Sequence, residues 1–246
     1  MKLTVLNSGS RANGYVIQND DEAIIIETGC SIGSCLKVLG FNTKKVKACL
    51  VTHEHGDHCR YISQYLEFMP VYCTKGTIEG ITFKGAKRPH EVHYLERFNA
   101  GGFVVMPFKT QHDVREPAGF LIQHPDMGLL LFATDTWYLD YQFEGLTQVM
   151  LECNYDKDML DRNIENGNIH PCVRERTLES HMSLKTTINT LQSNDLSKVN
   201  NVILLHLSKQ NSDAKMFKAE VERSIGKHVT IASPNVEVIL FNNQSI

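Results

Sequence analysis

The segment Thr52-His53-Glu54-His55-Gly56-Asp57-His58 places three imidazoles and an aspartate within six residues. It follows the apolar run 48–51, which reads as a buried strand, so the loop starts at a strand end. Residues two apart in an extended turn point the same way, and His53 and His55 can therefore share one ion. Asp57 and His58 lie beyond the turn at Gly56 and can serve a second ion. Neutral imidazole suits zinc and its transition-metal neighbours, while a carboxylate also admits manganese or iron. A solvated polar loop would account for one histidine but not for this spacing.

The elements that must carry this loop alternate along the chain. Strands are expected over 3–6, 15–18, 23–26, 48–51, 103–109, 119–123, 129–133, 148–151, 201–205, 229–231 and 236–241. Helices are expected over 34–39, 60–68, 156–163, 184–191 and 214–224. The unbroken run Ile24-Ile25-Ile26 suits a strand covered on both faces. Helices flanking many strands point to a layered α/β fold with the sheets inside.

The loop resembles the His-x-His-x-Asp-His signature of the metallo-β-lactamase fold, and that family's later motifs follow in order. His112 after strand 103–109, Asp135 after 129–133 and His206 after 201–205 each stand at a strand end. The resemblance implies a four-layer αββα sandwich of two mixed sheets with helices on the outer faces. It assigns His53, His55 and His112 to a first metal, Asp57, His58 and His206 to a second, and Asp135 as the bridge. Two divalent ions are implied, with Zn2+ foremost and Mn2+ or Fe as alternatives.

Further motifs narrow the resemblance to the WalJ/YycJ-like hydrolases, relatives of RNase Z and RNase J. Ser8-Gly9-Ser10-Arg11-Ala12-Asn13 matches that group's Ser-Gly-Ser-x-x-Asn loop, and Thr134-Asp135-Thr136 its Thr-Asp-Thr piece. Glu152-Cys153-Asn154-Tyr155-Asp156 matches Glu-x-Asn-x-Asp, and His181-Met182-Ser183 resembles a His-Leu-Ser element. Ser208 belongs to the segment His206–Asn211, which carries the last ligand. By this match Ser8, Ser10, Asn13, His181, Ser183 and Ser208 are candidate substrate contacts. Glu27, Glu152 and Asn154 are candidates to orient the ligands from behind. Two departures stand out: Glu27 replaces the family's usual aspartate, and Leu184 replaces a frequent asparagine.

The implied chemistry is hydrolysis by a hydroxide shared between two ions, its pKa lowered from about 15.7 toward neutrality. Asp57 is placed to orient that hydroxide. His181 precedes a helix that Ser183 can cap, where a phosphate oxygen could be held or protonated. The group's members point to a phosphodiesterase, most nearly a DNA exonuclease, with nucleic acid or another phosphodiester as partner. The alternative on the same ligand set is a small-molecule ester, thioester or lactone hydrolase. The basic stretch Lys84, Lys87, Arg88, His90, His93 and Arg97 offers backbone contacts to such a polymer.

The 246 residues carry 42% hydrophobic and 22% charged residues, which excludes a disordered chain. A net charge of −3 excludes nucleic-acid coating by bulk charge. No run is long enough to span a membrane and no signal peptide is legible, so a cytoplasmic protein is expected. The seven cysteines, without a Cys-x-x-Cys, suit reduced thiols. Asp135 and His206 are 71 residues apart, too close for the β-CASP nuclease insertion of RNase J-type enzymes, so one domain over 1–246 is expected. Nothing in the sequence fixes an oligomeric state.

Overall fold

The computed structural model of the chain describes residues 1–242. Two seven-stranded mixed sheets form its centre. The first runs, in spatial order, β14 (Glu237–Ile239), β1 (Lys2–Asn7), β2 (Gly14–Gln18), β3 (Ala23–Ile26), β4 (Val46–Leu50), β5 (Val71–Thr74) and β6 (His90–Val92). The second runs β13 (Val229–Ile231), β12 (Asn201–Leu205), β11 (Leu146–Glu152), β10 (Gly128–Ala133), β9 (Ala118–His124), β8 (Phe103–Lys109) and β7 (Phe98–Ala100). In each sheet three antiparallel pairings give way to three parallel ones. The two halves of the chain repeat one pattern, and β14 returns to complete the first sheet.

The period of two along each strand divides its side chains between layers. Ile24 and Ile26 of β3 face the space between the sheets, where Tyr15, Leu50, Phe103, Phe120, Phe132, Met150 and Ile203 also pack. Ile25 faces outward with Val16, Cys49 and Val71, against Cys35 of α1 (Ile32–Val38) and Ile62 and Tyr65 of α3 (Ile62–Tyr65). The outer face of the second sheet packs on Leu184 and Leu191 of α7 (Leu184–Gln192) and on Phe217 and Val221 of α8 (Ala214–Ile225). This is the expected αββα layering. Both sheets are hydrophobic on both faces, and each must be covered twice.

Two local readings are corrected. The helix expected over 60–68 is shortened to α3, and a separate turn, α2 (Gly56–Cys59), precedes it, because the Tyr61 N–H turns away to donate to the Thr28 carbonyl. The short elements β5, β6, β7, α4 (Lys75–Gly80) and α6 (Cys172–Ser180) were not anticipated. Strands of three or four residues are too brief to show a period, and the buried side of α6 is the polar pair Thr177 and Ser180. α5 (Lys157–Glu165) and α6 share a small satellite cluster, Tyr155, Leu160 and Ile169 packed with Leu178. All seven cysteines are free, and six of them are buried.

Candidate metal centre

The candidate ligands converge from strand ends: His53 to His58 after β4, His112 after β8, Asp135 after β10 and His206 after β12. Asp135 and His206, with Glu27 after β3, have positive φ values of 48°, 54° and 69°. Non-glycine residues seldom adopt this region, at a cost of about 1–3 kcal/mol each, and they concentrate at functional sites. The His-rich loop is held down by a close backbone crossing. A Cβ on Gly29 would stand 1.6 Å from the Asp57 carbonyl oxygen, so only glycine fits there. The same carbonyl accepts the Asn13 N–H at 2.7 Å.

Two groups of donor atoms meet at Asp135. On one side, His112 Nε2 is 3.2 Å from His55 Nδ1 and 3.9 Å from Asp135 Oδ2, and His53 Nε2 is 4.0 Å from the same oxygen. On the other, His58 Nε2 lies 3.4 Å from Asp135 Oδ2 and 3.3 Å from Asp57 Oδ2, and His206 Nε2 is 3.9 Å from Asp57 Oδ2. Ligands about 2.0–2.1 Å from a tetrahedral ion stand roughly 3.4 Å apart, so these separations suit cations in both pockets. His53 Nε2 and His206 Nε2 are buried and have no hydrogen-bond partner among the described residues. Buried ring nitrogens left bare in a ring of carboxylates fit ligand positions.

The opposite ring edges are anchored. His53 Nδ1 meets Thr52 Oγ1 at 2.8 Å, and that hydroxyl donates to Glu27 Oε1 at 2.6 Å. Glu27 Oε1 also lies 3.1 Å from His58 Nδ1, so one buried carboxylate stands behind two histidines. His112 Nδ1 donates to the Ser180 carbonyl at 3.1 Å. His206 Nδ1 lies between Asp135 Oδ1, at 2.7 Å, and Glu152 Oε1, at 3.3 Å. The Asn154 amide donates to the His206 carbonyl at 2.7 Å. Asp135, Glu152, His181 and His206 also form a tight group. Glu152 there accepts from the Thr136 N–H at 2.8 Å, from His181 Nδ1 at 2.7 Å and from the Met182 N–H at 3.3 Å, which marks a hydrogen-bond hub rather than an open ligand.

Charge follows the same division. Burial and neighbouring imidazoles hold His53 well below the usual histidine range, and burial lowers His112, so both stay neutral as ligation requires. Burial disfavours charge on His206 too, but Asp135 and Glu152 outweigh it and push the ring up to about 10. His181 follows suit: Glu152 overcomes the effect of burial and raises it. Asp135, though buried, is held well below the carboxylate range by His206 and His58.

A cavity of about 200 Å³ opens over the cluster, lined by Ser10, His55, Asp57, His112, Asp135, Arg176, Ser180, His181 and His206. Of the expected substrate contacts, Ser10 and His181 reach it. The others are engaged with the protein itself. Ser8 accepts the His206 N–H at 2.9 Å and bonds the Tyr15 hydroxyl, and Asn13 donates to Asp57 at 3.3 Å. Ser183 caps α7 at the Thr186 N–H, and Ser208 accepts the Asn211 N–H. The basic stretch 84–97 does not line this cavity; Lys87 pairs with Glu67 and Arg88 lies over Phe83. Arg176, on α6, was not foreseen, and only the folding of α6 over the cluster reveals it.

Comparisons with known proteins find relatives along most of the chain. The family model of the β-lactamase superfamily domain matches residues 24–207. The exodeoxyribonuclease WalJ of Streptococcus pneumoniae (serotype 2, strain D39) is 23% identical over 228 residues, covering 86% of this chain and 83% of that protein. The exodeoxyribonuclease YycJ of Bacillus anthracis is 23% identical over 238 residues, covering 91% and 88%. The crystal structure of YhfI, a metallo-β-lactamase-fold protein of Bacillus subtilis, superposes with a TM-score of 0.71 at 17% identity, covering 96% of this chain and 98% of that one. With two mixed sheets, a histidine–aspartate cluster at their edge and the family model matched across most of its length, the chain belongs to the β-lactamase superfamily as a metallo-β-lactamase-fold hydrolase.

Proposed function

We propose that the chain is a dinuclear metal-dependent phosphodiesterase that removes nucleotides from a DNA end, working as one domain over 1–246. His53, His55 and His112 would hold one ion, Asp57, His58 and His206 the other, and Asp135 would bridge them. Zinc fits the histidine-rich first pocket, and the carboxylate in the second also accommodates manganese or iron. Such ions supply a nucleophile at neutral pH and stabilise charge on phosphoryl oxygens.

The observation that carries the reading is that His181 and Arg176 line the same cavity as the candidate ligands. His181 is tied through Nδ1 to buried Glu152, which favours the imidazolium and leaves Nε2 for the cavity. A cation beside a protonated imidazole suits a phosphodiester: Arg176 binds the anionic oxygens, and His181 gives its proton to the departing alkoxide. An uncharged ester or lactone needs no such arginine. The match to two exodeoxyribonucleases along most of their length supports the DNA assignment.

A single-turnover assay with a 5′-phosphorylated DNA duplex, in Mn2+ and in Zn2+, tests this beside a lactone and a thioester. Nucleotide release supports the reading. Brisk lactone or thioester cleavage without nucleotide release overturns it.

A further inference from the structure

A second cavity of about 540 Å³ adjoins the metal centre. Ser8 and Ser10 line it on one side, Leu207, Ser208 and Lys209 on another, and Ser233 on the sheet-end loop that follows β13. Ser10 lines both this cavity and the one over the ligands, so the two are neighbours across that residue. The chemistry of the lining is one-sided. Arg11 and Lys209 contribute two positive charges, several hydroxyls surround them, and among the described residues no aspartate or glutamate lies in the wall. In a chain of net charge −3 this is a local reversal of sign. Arg11, Lys209 and the Ser10 hydroxyl are exposed and have no protein partner among the described residues.

The backbone here is anchored to the metal centre. The Ser8 hydroxyl holds the His206 N–H, while Asn13 reaches Asp57, so the loop carrying Ser10 and Arg11 is pinned at both ends to candidate ligands. Lys209 follows His206 by three residues, on a segment tied by the Ser208 N–H to the Asn154 carbonyl. The backbone that bears both cations therefore stands at a fixed place relative to the ligand cluster. A volume of this size lies within the range of about 300–1,000 Å³ typical of ligand pockets.

We propose that this cavity is a strand-binding subsite: Arg11 and Lys209 hold the phosphates of the nucleic-acid strand next to the one being cleaved, with Ser10 between. The inference rests on the phosphodiesterase reading and adds where the uncleaved part of the polymer lies. Cations and hydroxyls that contact phosphate fix position without reading sequence, so the subsite takes any base. Its effect belongs to polymers, because a small diester fills the cavity over the ligands and goes no further.

The test compares Arg11→Ala/Lys209→Ala with the wild type on a DNA oligonucleotide and on bis(p-nitrophenyl) phosphate, across a series of salt concentrations. The expected result is a KM for the oligonucleotide raised about tenfold relative to that for the small diester. The slope of log KM against log salt should also fall by about 1.4, since each single-strand phosphate contact contributes about 0.7. Equal effects on both substrates, or an unaltered oligonucleotide KM and salt slope, overturn the subsite while leaving the phosphodiesterase reading intact. A wild type that cleaves neither diester overturns both. Thermal unfolding of the double variant at the wild-type temperature separates lost contacts from lost fold.

Discussion

Glu27 and Asp135 occupy the same place in the two halves of the molecule: each follows the strand, β3 or β10, at which its sheet changes from antiparallel to parallel pairing. Both have positive φ and both carboxylates meet His58, Asp135 at Nε2 and Glu27 at Nδ1. One half thus supplies a carboxylate to the ligand face of the ring and the other supplies one to its back. The repeat explains why a glutamate in place of the family's usual aspartate is accommodated. The extra methylene lets one carboxylate reach both Thr52 and His58.

Glu27→Gln should weaken metal binding by about 10–100-fold, the usual effect of losing a group that orients a ligand. The amide retains the volume and one acceptor, but it loses the charge beside His58 and turns an NH2 donor toward the Thr52 N–H that Oε2 accepts at 3.4 Å. Calorimetric titration of metal into the stripped protein measures this, with circular dichroism as the check on fold. An unchanged affinity would show that Glu27 only fills space.

Removal of metal should destabilise the fold. Emptying the pockets leaves carboxylates and protonated imidazoles packed together, and anything that binds only the native state stabilises by mass action. At a free ion concentration 100 times Kd that amounts to about 2.7 kcal/mol. For a chain of this length it corresponds to roughly 5–10 °C in Tm. Differential scanning calorimetry with chelator, then with zinc or manganese restored, should show the loss and its reversal. The ion giving the larger recovery at equal concentration binds more tightly.

Much of the site was legible because its densest part is local. His53, His55, Asp57 and His58 lie on one loop, so spacing alone exposes them. His112, Asp135 and His206 were found only through their order and their places after strands. The residues that escaped or changed role depend on contacts between distant parts of the chain. The Ser8 hydroxyl meets the His206 N–H across 198 positions, so a loop that resembles a substrate clamp also braces a candidate ligand. Arg176 sits mid-helix in α6, whose weak apolar pattern hid even the helix. The layered fold was readable from strand runs such as Ile24-Ile25-Ile26, whereas β6 and β7, three residues each, depend on their neighbours for pairing.

His181→Asn should lower kcat for DNA by about 10²–10⁴, the usual contribution of a positioned acid. The loss should be much smaller for bis(p-nitrophenyl) phosphate, whose p-nitrophenolate leaves without protonation. Bound metal should match the wild type, since Glu152 and not the ions receives His181 Nδ1. Steady-state kinetics on both substrates, with elemental analysis of the protein, decide the matter. A uniform loss on both would assign His181 to binding rather than to proton transfer.

Arg176→Ala should reduce kcat/KM on both substrates, because its cavity is the one over the ligands and every diester must enter it. A charge-assisted hydrogen bond contributes about 1.5–3 kcal/mol, or roughly 10–150-fold. The contrast with Arg11→Ala/Lys209→Ala, whose effect should follow polymer length, separates the two cationic positions. If Arg176→Ala affected only the oligonucleotide, the arginine would belong with the strand-binding subsite instead.

Far from the metal centre, Glu22 joins the sheets. Its carboxylate accepts the Gly102 N–H at 2.8 Å and lies 2.9 Å from His124 Nε2, while the His124 ring packs on Phe103. Burial pushes the Glu22 carboxyl up, but the Gly102 N–H and His124 outweigh it and hold the group below its ordinary value. A carboxyl depressed in the folded state contributes stability that is fully present above its unfolded pKa of about 4.3 and is lost as pH falls through the lower folded value. Glu22→Gln should therefore be less stable than the wild type at pH 7, by about 1.5–3 kcal/mol, the usual contribution of hydrogen bonds to a charged group. The gap should narrow as pH falls below the unfolded value and close beneath the lower folded one, where the wild-type carboxyl is also neutral. Urea midpoints for both proteins at pH 7, 5, 4 and 3 measure it. A gap that stays constant down to pH 3 would mean that Glu22 acts through packing and not through its charge.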